Sequence, residues 1–198
     1  MATELSQLSG KQNRSIKSKI LILGEGGVGK TTMLYRYVNN VFMDSTKMTI
    51  GSDFFVKKVQ VSTEHHENFL SMLLWDFAGQ DRFRFILKDY TRGADAVILA
   101  FDLTRFSTLE KLYNWIDILK EGKVFGNPAV KFFLVGTKKD KEKEGIMTVS
   151  KGEIADFCTK FNILQFFETS ALSGLGIEEL FQEVAKTLIV QEDHKQTS

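Results

Sequence analysis

The sequence has only one cysteine, Cys158, and one proline, Pro128, among its 198 residues. A single cysteine excludes an intramolecular disulfide, and a single proline excludes a proline-rich linker between domains. The longest apolar runs, such as "AVILAF", are too short to cross a bilayer, and the polar N-terminus lacks the apolar centre of a secretory signal. We therefore expect a cytoplasmic protein with one folded domain.

The sequence also lacks an excess of either charge, because 26 Lys and Arg residues are balanced by 25 Asp and Glu residues, giving a formal net charge of +1. Such a balance gives no reason to expect nucleic-acid binding. The three histidines, His65, His66 and His194, lack the spacing of a zinc site. Hydrophobic residues make up 43% of the chain, which is enough for a substantial core. Cys158 follows Phe157 in an amphipathic segment, and we interpret it as a small core residue.

Apolar runs alternate with helical patterns along the chain, and their order predicts an α/β fold with three layers. We expect a six-stranded, mostly parallel sheet with helices on both faces. The segments 52–62 and 68–77 are separated by a short polar turn, which predicts a hairpin and hence one antiparallel edge strand. A short helix is expected after Gly79, and Ser150 with Glu153 forms the pattern of a capping box. The predicted organisation is a flexible arm over 1–18, one domain over 19–190 and a flexible tail over 191–198.

The stretch "GEGGVGKT" lies between the apolar run "KILIL" and a helical pattern that begins near Lys30. Gly-x4-Gly-Lys-Thr between a strand and a helix is the P-loop pattern, in which backbone N–H groups and the helix N-terminus attract phosphate. Lys30 would neutralise the β- and γ-phosphates, and Thr31 would bind Mg²⁺. The loop alone distinguishes neither GTP from ATP nor hydrolysis from binding. The residues predicted to hold phosphate are Glu25, Gly26, Gly27, Val28, Gly29, Lys30, Thr31 and Thr32.

Two later segments, "GTKKD" over 136–140 and "ETSA" over 168–171, follow buried strands and indicate the base. Asp140 can accept hydrogen bonds from the N1–H and exocyclic amine that guanine has and adenine lacks. Lys138 can lay its alkyl stem along the base, and the backbone of Ser170 and Ala171 can donate to the guanine oxygen. A buried carboxylate facing adenine would stay unpaired, which is costly. The segments therefore favour a guanine nucleotide.

The motifs "GEGGVGKT", "WDFAGQD", "TKKD" and "ETSA", in this order and spacing, resemble the Ras superfamily of small GTPases from about residue 18 to 190. "IGSDF", "YTRGAD" and "FDLTRFSTLEKLYNW" are most similar to its Rab branch. The resemblance implies a P-loop NTPase fold of the small G-protein type, hydrolysis of GTP to GDP with Mg²⁺, and a role as a molecular switch. It adds Leu172 to the base-binding residues. The chain departs from the family at Thr137, where Asn is usual, and a hydroxyl replaces only part of the bonding of that amide.

The resemblance also assigns the two switch segments. In "MTIGSDF", Thr49 would give a hydroxyl to Mg²⁺ and an N–H to the γ-phosphate, and Phe42 would place its edge against guanine. In "WDFAGQD", Asp76 would bind Mg²⁺ through a water, Gly79 would donate to the γ-phosphate, and Gln80 would orient the attacking water. The resulting catalytic candidates are Gln80, Lys30, Thr49 and Gly79, and the metal candidates are Thr31, Thr49 and Asp76.

No arginine stands out as a built-in charge stabiliser, so we expect slow intrinsic hydrolysis. In the family an activating protein supplies this arginine, which is worth roughly 10³–10⁵ in rate. Gly26 would leave room for it beside Gln80. We expect a monomer whose exchange factor, activating protein and effectors bind through residues 42–54 and 76–92.

The tail "QEDHKQTS" has no cysteine to prenylate and residue 2 is Ala, so no covalent lipid site is predicted. The basic residues Lys11, Arg14, Lys17 and Lys19 could contact an anionic membrane, although a solvated arm is favoured. Either the protein acts without a covalent lipid, or its natural tail is longer. Two alternatives to a GTPase stay open: a nucleotide-binding signalling or scaffold module with little hydrolysis, and an ATP-dependent P-loop enzyme.

Overall fold

The computed structural model describes residues 12–43, 49, 51–64, 66–79 and 89–196, and its centre is a six-stranded sheet of order β2-β3-β1-β4-β5-β6. Strand β2 runs antiparallel to β3, and the other four neighbouring pairs are parallel. The predicted α/β sheet with one antiparallel edge strand is therefore confirmed. The strands are β1 (Gln12–Leu23), β2 (Ser52–Ser62), β3 (His66–Phe77), β4 (Ala96–Asp102), β5 (Lys131–Thr137) and β6 (Gln165–Glu168).

Helices cover both faces of the sheet and create two separate cores. The helices are α1 (Lys30–Asn39), α2 (Phe106–Glu110), α3 (Leu112–Glu121), α4 (Lys151–Lys160) and α5 (Ile177–Gln196), with a 3₁₀ helix over Lys139–Glu144. Trp115 of α3 and Phe157 of α4 pack on one face, whereas Met33 of α1 and Phe181 of α5 pack on the other. Every residue of β4 is buried, as expected for a parallel strand between two helical layers. The three predicted layers are present.

Strand β1 begins at Gln12, earlier than the Lys19 that the sequence predicts. Its first half pairs with β3 from the register Gln12↔His66 onward, and Ile16 is buried beneath α5. Arg14 forms an ion pair with Asp193 near the end of α5. The first half of β1 looks polar in the sequence because one face of the strand is solvated. Its other face is recognisable only together with β3, which lies far away in sequence. The last helix likewise continues to Gln196, beyond the predicted residue 190.

Local signals predicted some helix boundaries well and others poorly. Ser150 accepts a hydrogen bond from the backbone of Glu153, and the Glu153 carboxylate accepts from the Ser150 backbone, so the capping box of α4 is confirmed. The helix expected over 109–120 is two helices, α2 and α3, separated at Lys111. The short helix expected after Gly79 falls on residues that lie outside those described; residues 89–91 are helical. No helix in the described part of the chain is long and apolar enough to span a membrane.

Candidate nucleotide and metal site

The glycine-rich loop follows β1 and crosses the end of β4 at close range. Gly24 has a φ of 150°, and a Cβ at this position would lie 2.1 Å from the carbonyl oxygen of Ala100. No side chain fits such a distance to backbone, so Gly24 lets the loop start its turn against β4. The loop then leads directly into α1, whose first residue is Lys30. The backbone groups between them surround a cavity of about 240 Å³.

Lys30 is buried and curls back over the loop. Its Nζ donates to the carbonyl oxygens of Gly24 at 2.8 Å and Glu25 at 3.0 Å. Burial lowers the pKa of Lys30, although the charges of Asp76 and Glu25 oppose this effect. A buried ammonium in a small polar cavity favours an anionic ligand that restores the charge balance.

Most of the residues predicted to hold phosphate line this cavity. Gly26, Gly27, Gly29, Lys30, Thr31 and Thr32 do so, together with Thr49, Gly79 and two residues not predicted here, Ala78 and Lys138. Glu25 instead directs its carboxylate to Lys111, 2.8 Å from Nζ, and to the backbone N–H of Gly26 at 3.0 Å. Val28 lines a second, neighbouring cavity that is described below. Neither side chain therefore faces the phosphate cavity.

The three metal candidates, from separate parts of the chain, meet beside Lys30. The hydroxyls of Thr31 and Thr49 lie 2.8 Å apart, and the Thr31 hydroxyl also donates to Oδ2 of Asp76. The other carboxylate oxygen of Asp76, Oδ1, is buried without a hydrogen-bond partner in the described structure. Hydroxyl and carboxylate oxygens are the ligands of a hard cation, and an unpaired buried carboxylate oxygen is what a cation would satisfy. The residues thus fit Mg²⁺.

Protons should compete with Mg²⁺ at this cluster. Burial raises the pKa of Asp76 to about 6, against the opposing effects of Lys30 and the Thr31 hydrogen bond. Mg²⁺ needs the carboxylate, so its apparent affinity should fall as pH drops below about 6, by up to about tenfold per unit. The Mg²⁺ concentration that slows release of a fluorescent GDP analogue, measured at several pH values, checks this. Asp76→Asn should show the shallower dependence of the nucleotide phosphates alone; equal slopes would contradict the assignment.

Gly79 places the second switch segment directly on the loop. A Cβ at Gly79 would lie 2.1 Å from the backbone N of Gly26 and 2.3 Å from the carbonyl carbon of Glu25. The neighbouring Ala78 N–H donates to the Gly51 oxygen at 2.8 Å, which joins the two switch segments. A Cβ at Gly26 would meet no atom within 4 Å in the described residues. Gln80, the predicted water-orienting residue, lies outside those residues.

A second cavity, of about 480 Å³, adjoins the first through Gly29, Thr32 and Lys138. The predicted base-binding residues Phe42, Thr137, Lys138, Asp140, Ala171 and Leu172 line it, and so do Met33, Met43, Lys141 and Thr169, which sequence reasoning missed. Met33 and Thr169 belong to recognisable elements, but only their tertiary placement shows that they form a wall of the cavity. Phe42 therefore lines the cavity in which we expect the base, and its contact with guanine stays a prediction.

Ser170 supports the base cavity from behind. It is fully buried, and its hydroxyl donates to Oδ1 of Asp140 at 2.6 Å. Its backbone N–H, which we expected to face the guanine oxygen, donates to Leu175 at 3.0 Å. This leaves Ala171 as the backbone donor of the predicted pair. The Ser170 hydroxyl therefore holds one carboxylate oxygen of Asp140.

Thr137 replaces the amide of the related proteins in one respect. Its hydroxyl lies 2.5 Å from the Val28 oxygen of the phosphate loop and 2.9 Å from the Phe101 oxygen of β4. A hydroxyl has one proton and can donate to only one of these at a time. Thr137 thus ties the base segment to the phosphate loop, as Asn does in the family, and its hydroxyl is occupied by this task.

Comparison with known proteins agrees with this geometry. The family model described as "Ras family" matches residues 19–190. The chain is 36% identical to the Ypt/Rab-type GTPase ypt7 of Schizosaccharomyces pombe, over 94% of this chain and 88% of that protein. It is 34% identical to the Ypt/Rab-type GTPase avaA of Emericella nidulans, over 91% and 86%, and 35% identical to the Ras-related protein Rab7 of Pisum sativum, over 85% and 80%.

These matches cover nearly the whole described fold, and both cavities lie within the matched residues. The alternative of an ATP-dependent P-loop enzyme has no support among them. The chain belongs to the Ras family and is a Rab-like small GTPase, a molecular switch that hydrolyses GTP to GDP.

Proposed function

We propose that GTP binds with its phosphates in the smaller cavity and guanine in the larger one, and that hydrolysis is slow and depends on Mg²⁺. The observation that carries the proposal is the continuity of the two cavities. Lys138 and Gly29 line both, the Thr31–Asp76 pair lies at one end, and Asp140 lies at the other. A nucleotide has the same arrangement, with a charged phosphate chain at one end and a hydrogen-bonding base at the other.

Guanine recognition would rest on the carboxylate of Asp140 and the backbone N–H of Ala171. The Ser170 hydroxyl fixes Oδ1 of Asp140, so the carboxylate is oriented before the base arrives. Phe42 and Lys138 would contact the faces or edge of the ring, since both line the cavity. Pre-orientation of this kind lowers the cost of binding.

Hydrolysis would depend on positioning and charge. Mg²⁺, when held by Thr31, Thr49 and Asp76, would neutralise charge on the β- and γ-phosphates. Lys30 would exchange its bonds to the Gly24 and Glu25 oxygens for the phosphates. Gly79, packed on the loop, would present its N–H to the γ-phosphate, and Gln80 would orient water. Among the described residues, the cations that line the phosphate cavity are Lys30 and Lys138, so we expect the rate to be low without a partner.

Partners are proposed to bind beside the two switch segments, through residues 42–54 and 76–92. Both segments contribute a ring to an exposed aromatic cluster: Phe54 is 46% and Tyr90 48% exposed. The ring of Trp75 lies 5.2 Å from that of Phe54 and 6.3 Å from that of Tyr90. Lys19 stacks over Trp75 and donates to the Tyr90 oxygen at 2.6 Å, which fixes the cluster. Exposed aromatic rings held this firmly are suited to protein recognition.

Single-turnover hydrolysis tests the proposed chemistry. Protein loaded with GTP should release phosphate slowly with Mg²⁺, and Gln80→Leu should slow the release by roughly tenfold to a hundredfold because water is no longer oriented. Gln60→Leu is the matched control, since Gln60 lies on β2 and bonds Glu67 at 3.1 Å, away from the cavities. Its rate should equal that of the unchanged protein.

Two results would contradict the proposal. An unchanged protein that releases no phosphate over hours with Mg²⁺ would favour a module that binds nucleotide without cutting it. Displacement of GTP by a comparable concentration of ATP would show that the larger cavity does not select guanine.

A further inference from the structure

A buried carboxylate that the sequence did not indicate, Asp102, lies at the end of β4. The side chain of Asp102 is 0% exposed, and Thr104 donates to its Oδ1 through the backbone N–H at 2.9 Å and the hydroxyl at 2.7 Å. Arg105 Nε donates to Oδ2 at 2.9 Å, and Lys138 Nζ lies 2.7 Å from the same atom. Burial acts to raise the pKa of Asp102, but the hydrogen bonds from Lys138, Thr104 and Arg105 outweigh burial and lower it.

The two cations on Asp102 belong to contacts with two different segments of the site. Lys138, of the base segment, lines both cavities and has a left-handed backbone, with a φ of 62°. Arg105 contacts the phosphate loop, because its Nη2 donates to the Gly27 oxygen at 3.1 Å. One carboxylate thus connects the segment that holds the base to the segment that holds the phosphates.

We propose that Asp102 and Arg105 are positioning residues that keep nucleotide bound by fixing Gly27 and Lys138 relative to each other. The inference rests on the proposed nucleotide site. Neither residue is among those that line the cavities of the described structure, so each acts through the residue it holds. A signal for this role exists in the sequence, because Asp102 comes directly after a run of apolar residues near the end of its strand, as Asp76 does.

Arginine is suited to this position because its guanidinium has several donors in a rigid plane. Nε binds Asp102 while Nη2 binds the Gly27 oxygen, so one side chain makes both contacts at once. A lysine has a single nitrogen at the end of a flexible chain and would hold one partner firmly at a time. The arginine therefore transmits the position of Asp102 to the phosphate loop.

Removal of either residue should speed nucleotide release. We expect Arg105→Ala to raise the dissociation rate of a fluorescent GDP analogue by roughly tenfold, because a charged donor to the loop is lost. Asp102→Asn should raise it by roughly tenfold to a hundredfold, since both cations then lose their partner charge. Arg105→Lys should fall between the unchanged protein and Arg105→Ala.

The decisive measurement is a double-mutant cycle on the full chain with Mg²⁺. If Asp102 and Arg105 act as one unit on the phosphate loop, the effect of Arg105→Ala should shrink in the Asp102→Asn background. Discrimination between GDP and GMP should fall in Arg105→Ala, while discrimination between GDP and IDP, which lacks the exocyclic amine that Asp140 reads, should not. General loosening of the fold would lower both. Lys120→Ala is the control, because Lys120 forms an exposed ion pair with Asp117.

An Arg105→Ala protein that releases GDP at the unchanged rate would overturn the inference, as would equal effects in both backgrounds. If Asp102→Asn does not fold, as circular dichroism would show, the nucleotide series on Arg105→Ala and Arg105→Lys still decides it. Failure of the proposed site looks different: the unchanged protein would then not prefer GDP to ADP.

Discussion

Asp140→Asn should weaken GDP and GTP binding by roughly 10²–10⁴-fold and make xanthine the favoured base. The carboxylate would accept two hydrogen bonds from guanine, and bonds to a charged group contribute about 1.5–3 kcal/mol each. Each 1.4 kcal/mol corresponds to about tenfold in affinity. An amide keeps one acceptor and adds a donor, which faces the exocyclic amine of guanine as donor to donor. The oxygen that xanthine has at that position accepts the new donor instead.

Ser170 should strengthen the change in preference from guanine to xanthine. Its hydroxyl donates to Oδ1 of Asp140, and the oxygen of an Asn would take that place while its amino group turned towards the base. Competition between GDP and xanthosine diphosphate against a fluorescent GDP analogue measures the change. Asp117→Asn is the matched control, because Asp117 is exposed on α3. Unchanged GDP affinity in Asp140→Asn would mean that Asp140 does not contact the base.

Gly79→Ala should abolish the contact between the second switch segment and the phosphate loop. The added Cβ would overlap the backbone of Gly26 and Glu25, and backbone cannot move aside as a flexible side chain would. The Gly79 N–H would then no longer reach the γ-phosphate, and we expect GTP hydrolysis to fall roughly 10²–10³-fold, as for loss of a positioned backbone donor. GDP affinity should be largely retained because GDP lacks that phosphate.

Phosphate release in a single turnover, together with GDP dissociation, measures both parts of this prediction. Gly152→Ala provides a control for glycine replacement, because the nearest atom to its added Cβ is the Ser150 hydroxyl oxygen at 3.9 Å. A normal hydrolysis rate in Gly79→Ala would show that the close packing on Gly26 is not needed in the reactive state.

The sheet and most of the site could be predicted because their signals are local. Buried strands such as β4 appear as short apolar runs, and the carboxyl ends of parallel strands share one edge of the sheet. Asp76, Asp140 and the glycine-rich loop each follow such a run, so their convergence follows from the strand order. Thr49 was predicted only from the resemblance to small GTPases, because no local sequence pattern around it indicates a role.

Contacts between segments that are distant in sequence explain the features that the sequence did not predict. The first half of β1 is a strand because β3 lies beside it and Arg14 meets Asp193, contacts that no local pattern contains. The Ser170 amide was expected to face guanine, yet Leu175 takes its hydrogen bond five residues later. The sequence does not indicate Asp102, because a lone Asp at the end of a strand can have many roles, and only its four donors identify this one.

The ion pair between Arg14 and Asp193 has a practical consequence for attaching the protein to a tag or a surface. Strand β1 extends for about 36 Å at 3.3 Å per residue, so its start and the end of α5 meet far from the cleft. A tag or sensor surface joined through either region would be attached at the end of β1 opposite to the one that leads into the cleft. Immobilised protein should therefore exchange nucleotide at the rate seen in solution.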